Sequence, residues 1–246
     1  MAEERRFMLL TGASRGIGHA TVKLFQEKGW QIFTVSRQHF SPECAWASAR
    51  ESHIQADLAD LSQIDRLAAT VRERLPNGKL HALVNNAGIS PKGPDDGRLG
   101  VADSTAVVWT RTLNVNLVST ALIARALLPE LRAARGSIVN VTSIAGSRVH
   151  PFAGVAYAAS KAGLAALTRE MAHEFGRFGV RANAIAPGEI ETSILSPGTD
   201  ELVASEVPMG RLGDPREVAE TIHFLCTDQS SYINGAEIHI NGGQHV

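Results

Sequence analysis

The strongest constraint on the fold is the alternation of short apolar segments with longer amphipathic ones along the 246 residues. Strand-length apolar runs such as "RFMLLTG" and "WQIFTVS" are followed by segments of helical periodicity such as "IGHATVKLFQEKG". Strands that are apolar almost throughout are typical of a parallel sheet covered by helices on both faces. The sequence therefore predicts an α/β, doubly wound fold.

Seven segments have strand character, and the helical segments between them have recognisable ends. Pro129 predicts a kink or boundary in the long helical stretch before the fifth strand, and Pro215 opens the last helix. No linker, internal repeat or low-complexity tract divides the chain, so we expect one domain over residues 1–246. The predicted strands are "RFMLLTG", "WQIFTVS", "SHIQAD", "KLHALVNN", "GSIVNVTS", "VRANAIAP" and "GAEIHING".

Composition excludes several classes of function. The net charge is -1 and the pI about 6.8, so no charge excess indicates nucleic acid or an anionic membrane. Cys44 and Cys226 lack the spacing of a metal site or a disulfide framework, which fits a reducing compartment. No segment approaches the ~20 apolar residues of a membrane span. We expect a cytoplasmic protein without a metal.

A glycine-rich turn, "TGASRGIG" at residues 11–18, follows the first strand and opens the first helix. Gly12 permits the tight turn, Gly16 lets the backbone approach a pyrophosphate, and Gly18 lets helix and strand pack closely. The spacing differs from the commoner GxGxxG pattern, and a turn that uses glycine only for packing is the alternative. The strand–turn–helix context favours dinucleotide binding.

The end of the second strand bears on the choice of dinucleotide. In NAD-binding folds of this type, a carboxylate about 20 positions after the turn binds the ribose 2′-hydroxyl. In this chain the segment "TVSRQH" has Ser36 and Arg37 at that position. Arg37, and Arg15 from the turn, suit a 2′-phosphate. The sequence therefore predicts NADPH over NADH.

Polar residues after the third and fourth strands extend the predicted site. Asp57 either accepts a hydrogen bond from adenine or caps the following helix. In "NNAG", Ala87 and Gly88 keep the backbone close to a cofactor and Asn85 braces the sheet edge, with a plain turn as the alternative.

Tyr157 and Lys161 are four residues apart in "YAASK", so a helix places them on one face. An ammonium about 4 Å away favours the phenolate by about 4 kcal/mol, which lowers the phenol pKa by up to about three units. Burial acts in the opposite direction. We expect Tyr157 to exchange a proton near pH 7, although a solvated lysine on an amphipathic helix is the alternative for this pair alone.

Together these segments resemble the short-chain dehydrogenase/reductase family, in its compact single-domain branch. The resemblance covers nearly the whole chain. It implies a seven-stranded Rossmann sheet, NADP(H), reversible carbonyl–alcohol oxidoreduction, and a homotetramer or homodimer built partly on the long helices. It rests on "TGASRGIG", "NNAG", "NVNL", "VTSIAG", "YAASK", "APGEIET" and "NGGQ".

By this resemblance, Ser143 positions the carbonyl, Tyr157 is the general acid, and Lys161 lowers the Tyr157 pKa and holds the nicotinamide ribose. Asn116 bends its helix and supports a water chain to Lys161. The interval from Ser143 to Tyr157 is one residue longer than is usual in the family, so rivals remain. They are Thr142 and Ser147 for the hydroxyl and Asn114 for the amide.

The segment "APGEIETS" resembles the family's nicotinamide-binding stretch. We expect residues 189–213 to form a lid over the substrate and residues 90–104 another wall. The predicted cofactor-binding residues are Gly12, Ser14, Arg15, Gly16, Ile17, Gly18, Arg37, Asp57, Leu58, Asn85, Ala87, Gly88, Tyr157, Lys161, Pro187, Gly188, Ile190 and Thr192.

Three functions compete. The first is an NADPH-dependent reductase of the 3-oxoacyl-thioester type, in which surface arginines could meet an acidic carrier protein. The second is a dehydrogenase of a sugar, polyol or other secondary alcohol. The third is a nucleotide-binding regulator without turnover, against which the intact Ser, Tyr, Lys and Asn set argues. The arginines in question are Arg132, Arg135, Arg177 and Arg181.

Overall fold

Parallel strands form a seven-stranded sheet in the order β3-β2-β1-β4-β5-β6-β7. The computed structural model describes residues 5–39, 52–192 and 196–246. The predicted doubly wound Rossmann sheet is confirmed, and the strand order reverses between β1 and β4. The strands are β1 (Phe7–Thr11), β2 (Gln31–Ser36), β3 (His53–Gln55), β4 (Ala82–Asn85), β5 (Ser137–Val141), β6 (Arg181–Pro187) and β7 (Glu237–Ile240).

Helices cover both faces of the sheet. In β1, Leu9 faces the cluster formed with α2, α4 and α6, while Met8 and Leu10 face the cluster formed with α1 and α8. Both clusters are almost fully buried, which explains why the strands are apolar on both sides. The helices are α1 (Gly16–Glu27), α2 (Ile64–Arg74), α3 (Ala106–Leu113), α4 (Ser119–Ala126), α5 (Leu128–Ala134), α6 (Val155–Gly176), α7 (Thr199–Glu206) and α8 (Pro215–Leu225).

The long helical stretch before β5 is interrupted twice. A π-helical turn spans Asn114–Val118 between α3 and α4, and Pro129 lies in the first turn of α5. The axes of Ala106–Ala126 and Leu128–Ala134 differ by 61°, so the boundary predicted at Pro129 is confirmed. In the described part of the chain, no single helix is long and apolar enough to cross a membrane. The two helices of this bent pair meet the length and hydropathy criteria only when they are taken together.

The segment after β6 is more ordered than its turn-rich composition predicts. It contains α7, and Ile190 pairs with Gly213 in a parallel bridge that ties the two ends of the segment together. Asp214 then caps α8 through a capping box with Glu217. Cys44, the rest of residues 40–51, and residues 193–195 lie outside the described residues.

Candidate active site

The carboxyl ends of the strands meet in an open cleft of about 1010 Å³. It lies where the strand order reverses, the position at which doubly wound sheets bind ligands. The segments after β1, β2, β4, β5 and β6 therefore meet in this cleft. The predicted cofactor-binding residues that line the cleft are Gly12, Ser14, Arg15, Gly16, Ile17, Arg37, Asp57, Leu58, Ala87, Gly88, Tyr157, Lys161, Pro187, Gly188, Ile190 and Thr192.

The glycine turn requires its glycines. Gly12 and Gly16 have φ values of +73° and +55°, in the left-handed region. A Cβ on Gly12 would lie 2.8 Å from Ala87 Cα, and one on Gly18 would overlap the Gly12 carbonyl oxygen. Gly18 does not line the cleft but packs the helix onto the turn, as predicted. The bare backbone at the start of α1 leaves a cradle that fits a dinucleotide phosphate.

Asn85 braces the sheet, as predicted, but it does not reach the cofactor cleft for which it was also predicted. It is 3 % exposed at the end of β4, and its amide donates a 2.9 Å hydrogen bond to Asn140 Oδ1 inside the sheet, so it does not line the cleft. Asn86 lines the cleft instead and donates to the carbonyl oxygens of Thr11 and Gly12 at 3.2 and 2.8 Å. Strand alternation explains the difference, because adjacent residues point to opposite sides.

Among the described residues, Arg37 follows the end of β2 and no carboxylate stands there. Arg15 and Arg37 are exposed and line the cleft, and the Ser36 hydroxyl donates to the Gln38 carbonyl oxygen at 3.0 Å. Asp57 also lines the cleft, and its Oδ1 accepts a 3.0 Å bond from the Ala59 N–H. Its contact with adenine stays a prediction.

Ser143, Tyr157 and Lys161 come together at one wall of the cleft. The Ser143 hydroxyl accepts a 3.2 Å bond from Ala145 N–H and lies close enough to Tyr157 to lower the pKa of its phenol. Lys161 Nζ lies 5.6 Å from the centroid of the Tyr157 ring and donates to the Val141 carbonyl oxygen at 2.6 Å. The predicted helix does place Tyr157 and Lys161 on one face.

The predicted lowering of the Tyr157 pKa is not found. Burial raises the pKa of Tyr157, and the hydrogen bond to Ser143 offsets this only in part, while the nearby Glu189 charge raises it further. Burial also lowers the pKa of Lys161 to about 8. Desolvation therefore outweighs the attraction between ammonium and phenolate on which the prediction rested.

Comparison with known proteins identifies the family. A model of the family described as Enoyl-(Acyl carrier protein) reductase matches residues 12–245. An oxidoreductase of the short chain dehydrogenase/reductase family from Brucella ovis, solved in complex with a partially ordered NAD, superposes with a TM-score of 0.85 at 54 % identity, covering 97 % of this chain and 100 % of that one. This chain belongs to the short-chain dehydrogenase/reductase family.

Two curated relatives of this short-chain dehydrogenase/reductase differ in name. "Protein FixR" of Bradyrhizobium diazoefficiens is 55 % identical over 244 residues, 99 % of this chain and 88 % of the relative. The 3-oxoacyl-(acyl-carrier-protein) reductase FabG of Vibrio harveyi is 34 % identical over 250 residues, 99 % of this chain and 98 % of the relative. The chain is thus an oxidoreductase of this family.

The rival residues are engaged elsewhere. The Thr142 hydroxyl bonds to the Ile185 carbonyl oxygen and to Glu237, and Ser147 donates to the Ile144 carbonyl oxygen. Asn114 donates to the Ala59 carbonyl oxygen, outside the cleft. Ser143 is thus the hydroxyl of this group that faces Tyr157.

Asn116 does not line the cleft itself. It is 1 % exposed within the π-helical turn, accepts from Ile89 N–H, and donates to the Ile89 carbonyl oxygen and Ser160 Oγ. A Cβ on Gly88 would be 3.6 Å from Asn116 Oδ1 and 3.4 Å from Lys161 Nζ, so these side chains meet behind Gly88.

His150 and Glu189 form a pair in the cleft that the sequence does not predict. His150 Nε2 lies 2.5 Å from Glu189 Oε1, and the two side chains are only 11 % and 10 % exposed. No spacing in the sequence shows that His150, in the loop after β5, contacts Glu189 at the end of β6. Only the three-dimensional structure reveals this pair.

Proposed function

We propose that this protein reduces a carbonyl compound to a secondary alcohol with NADPH. The observation that supports this best is the pairing of Ser143 with Tyr157, with Lys161 buried beside them, in the wall of a cleft whose other end fits a dinucleotide. A regulator without turnover has no use for two paired hydroxyls and a buried ammonium at this place.

Each side chain has a defined task in this proposal. NADPH supplies the hydride. Ser143 donates a hydrogen bond that positions the carbonyl oxygen, and Tyr157 gives that oxygen a proton as negative charge develops on it. Because its pKa is raised, Tyr157 is fully protonated at neutral pH and serves as an acid.

Lys161 and Asn116 hold this wall in place. The Lys161 ammonium is anchored on Val141 and is available to the nicotinamide ribose hydroxyls, while Asn116 fixes the backbone at Ile89 next to Gly88. The π-helical turn at Asn114–Val118 is the local distortion that brings Asn116 to this position.

The preference for NADPH is supported by charge. Arg37 follows the end of β2, where a carboxylate would repel a 2′-phosphate, and Arg15 of the glycine turn lines the same cleft. The NAD in the Brucella ovis structure belongs to that protein, and the preference of this chain is a separate proposal.

Two substrate classes follow from different observations. The names of relatives such as FabG support a 3-oxoacyl thioester as substrate. The guanidinium carbons of Arg132 and Arg177 lie 4.9 and 4.7 Å from the centroid of the Phe178 ring, and these two cations could contact an acidic carrier protein. The buried His150–Glu189 pair supports instead a hydroxylated substrate of the sugar or polyol type, because an alkyl chain gains nothing from a buried carboxylate.

A substrate screen with a matched variant tests the proposal. NADPH consumption is followed with acetoacetyl-CoA, sugars and simple ketones for the wild type and for Tyr157→Phe. We expect turnover of at least one class, its loss in Tyr157→Phe, and an NADPH affinity within a few-fold of wild type. Undiminished turnover in Tyr157→Phe would refute the proton-donor role.

We also propose that the protein forms a homodimer or homotetramer through α6. Ala162 and Ala166 are exposed on this helix, while Ala158 and Ala165 are half-buried, and small side chains allow close helix packing. Replacing Ala162 with Glu should reduce the mass observed by light scattering. An unchanged mass would show that this face is not the interface.

A further inference from the structure

The His150–Glu189 pair has a defined protonation pattern. The Phe152 N–H donates to His150 Nδ1 at 3.3 Å, so Nδ1 carries no proton and accepts. The ring proton is therefore on Nε2, which donates to Glu189 Oε1 at 2.5 Å. The His150 Nε2–H thus holds the Glu189 carboxylate in place inside the cleft.

One carboxylate oxygen of Glu189 has no hydrogen-bond partner among the described residues. Oε1 accepts from His150, whereas Oε2 forms no hydrogen bond with any residue in the described ranges and is not sealed from the cleft that Glu189 lines. A carboxylate oxygen so placed can accept a hydrogen bond from a ligand in the cleft. Since His150 restrains the side chain, this acceptor has a fixed position and little conformational entropy to lose when a ligand binds.

The same pair lies close to the reacting groups. Glu189 and Tyr157 line the same cleft, and β5 and β6 are adjacent with Val141 opposite Ile185, so that Ser143 just after β5 and Glu189 just after β6 follow neighbouring strand ends. A donor that reaches Glu189 would therefore be carried on an atom near the carbonyl carbon, not at the far end of a long substrate.

The charge of Lys92 affects which kind of ligand group can donate a hydrogen bond to Glu189. Its ammonium donates to the Phe152 carbonyl oxygen at 2.7 Å and to Ser196 Oγ at 3.1 Å, both uncharged acceptors, and it lines the cleft. Phe152 thus joins Lys92 to His150 through its carbonyl oxygen and its N–H. A positive charge in the same wall disfavours a cationic substrate, which leaves a neutral hydroxyl as the matching donor.

We propose that Glu189, oriented by His150, is a specificity-determining residue whose free oxygen accepts a hydrogen bond from a hydroxyl group next to the reacting carbonyl. The preferred substrates are then hydroxy-ketones or the corresponding vicinal diols. This inference rests on the proposed carbonyl reduction and selects the second of its two substrate classes.

A pair of nearly isosteric ketones tests the inference. In 1-hydroxybutan-2-one, a hydroxyl takes the place of one terminal methyl of pentan-3-one, so the two differ mainly in the donor. We expect the wild type to favour the hydroxy-ketone in kcat/KM by about tenfold to a hundredfold, the range for one hydrogen bond to a charged group. Glu189→Leu should lower the ratio by about that factor, to the value set by the intrinsic reactivity of the two ketones, while pentan-3-one is still reduced, and Glu189→Gln should fall between.

Controls separate specificity from folding. Glu191, two residues on, is exposed and outside the cleft, so Glu191→Leu should keep the wild-type ratio. NADPH affinity, measured by fluorescence, should be unchanged in all variants. As a readout without turnover, butane-1,2-diol should bind the enzyme–NADP⁺ complex more tightly than pentan-3-ol by calorimetry, and only in proteins that retain Glu189.

The outcomes are distinguishable. A wild type that reduces both ketones equally, or a Glu189→Leu variant that keeps the hydroxyl preference, overturns the inference and leaves carbonyl reduction standing. A wild type that reduces neither ketone, no sugar and no 3-oxoacyl thioester overturns the proposed function and this inference with it. A preference that Glu189→Leu abolishes and Glu191→Leu preserves supports both.

Discussion

The Lys161 ammonium donates a 2.6 Å hydrogen bond to the carbonyl oxygen of Val141, the last residue of β5. This bond ties α6 to the sheet next to Ser143 and fixes the side chain that faces Tyr157. Lys161 is only 3 % exposed, and one acceptor does not replace the water that an ammonium loses. Burial therefore lowers its pKa to about 8.

This burial predicts how stability depends on pH. The folded-state pKa of Lys161 is about 8 and the unfolded value near 10.4, so between these values the unfolded chain binds more protons and stability rises with pH. At pH 7 the charged group costs about 3 kcal/mol, most of which is recovered by pH 10. In Lys161→Met we expect this rise to be smaller by about 2 kcal/mol in urea unfolding at the two pH values.

An exposed lysine provides the control. Lys23→Met, on the outer face of α1, should keep the wild-type dependence. If Lys161→Met gained as much stability from pH 7 to pH 10 as the wild type, the buried ammonium would not be the cause.

Charge reversal at the end of β2 tests the proposed cofactor preference. In Arg37→Asp, a carboxylate would face the 2′-phosphate and could accept from a ribose hydroxyl, so NADPH affinity should fall and NADH affinity should rise. Titration of both cofactors by fluorescence measures the ratio. An unchanged ratio would refute the role of Arg37, and Arg66→Asp on α2, outside the cleft, is the matched control.

The glycine turn predicts a large effect from one methyl group. A Cβ on Gly18 would overlap the Gly12 carbonyl oxygen and lie 2.6 Å from Asn86 Nδ2. Gly18→Ala must therefore displace the turn, with a loss of about 1–3 kcal/mol of stability and weaker NADPH binding. Gly100→Ala, where the nearest atom is 3.6 Å from the added Cβ, should change neither thermal unfolding nor affinity.

The sheet was predictable because its strands are buried on both faces, and the convergence of motifs followed from strand direction. Asn85 was correctly predicted to brace the sheet, but "NNAG" does not show that the next asparagine, Asn86, is the one that lines the cleft. The Tyr157 pKa was wrong in direction because desolvation depends on packing that the four-residue spacing does not reveal. His150 and Glu189 meet only through tertiary structure.

The Glu189 charge predicts a change in the pH–rate profile. Burial and this charge both raise the pKa of Tyr157, so Glu189→Gln should lower it while leaving the phenol buried. Reduction needs the protonated phenol, and the alkaline limb of kcat/KM should therefore move to lower pH in Glu189→Gln. Glu191→Gln, which changes an exposed carboxylate outside the cleft, should leave the limb in place. If the alkaline limb of kcat/KM were unchanged or moved to higher pH in Glu189→Gln, the Glu189 charge would not be a cause of the raised Tyr157 pKa.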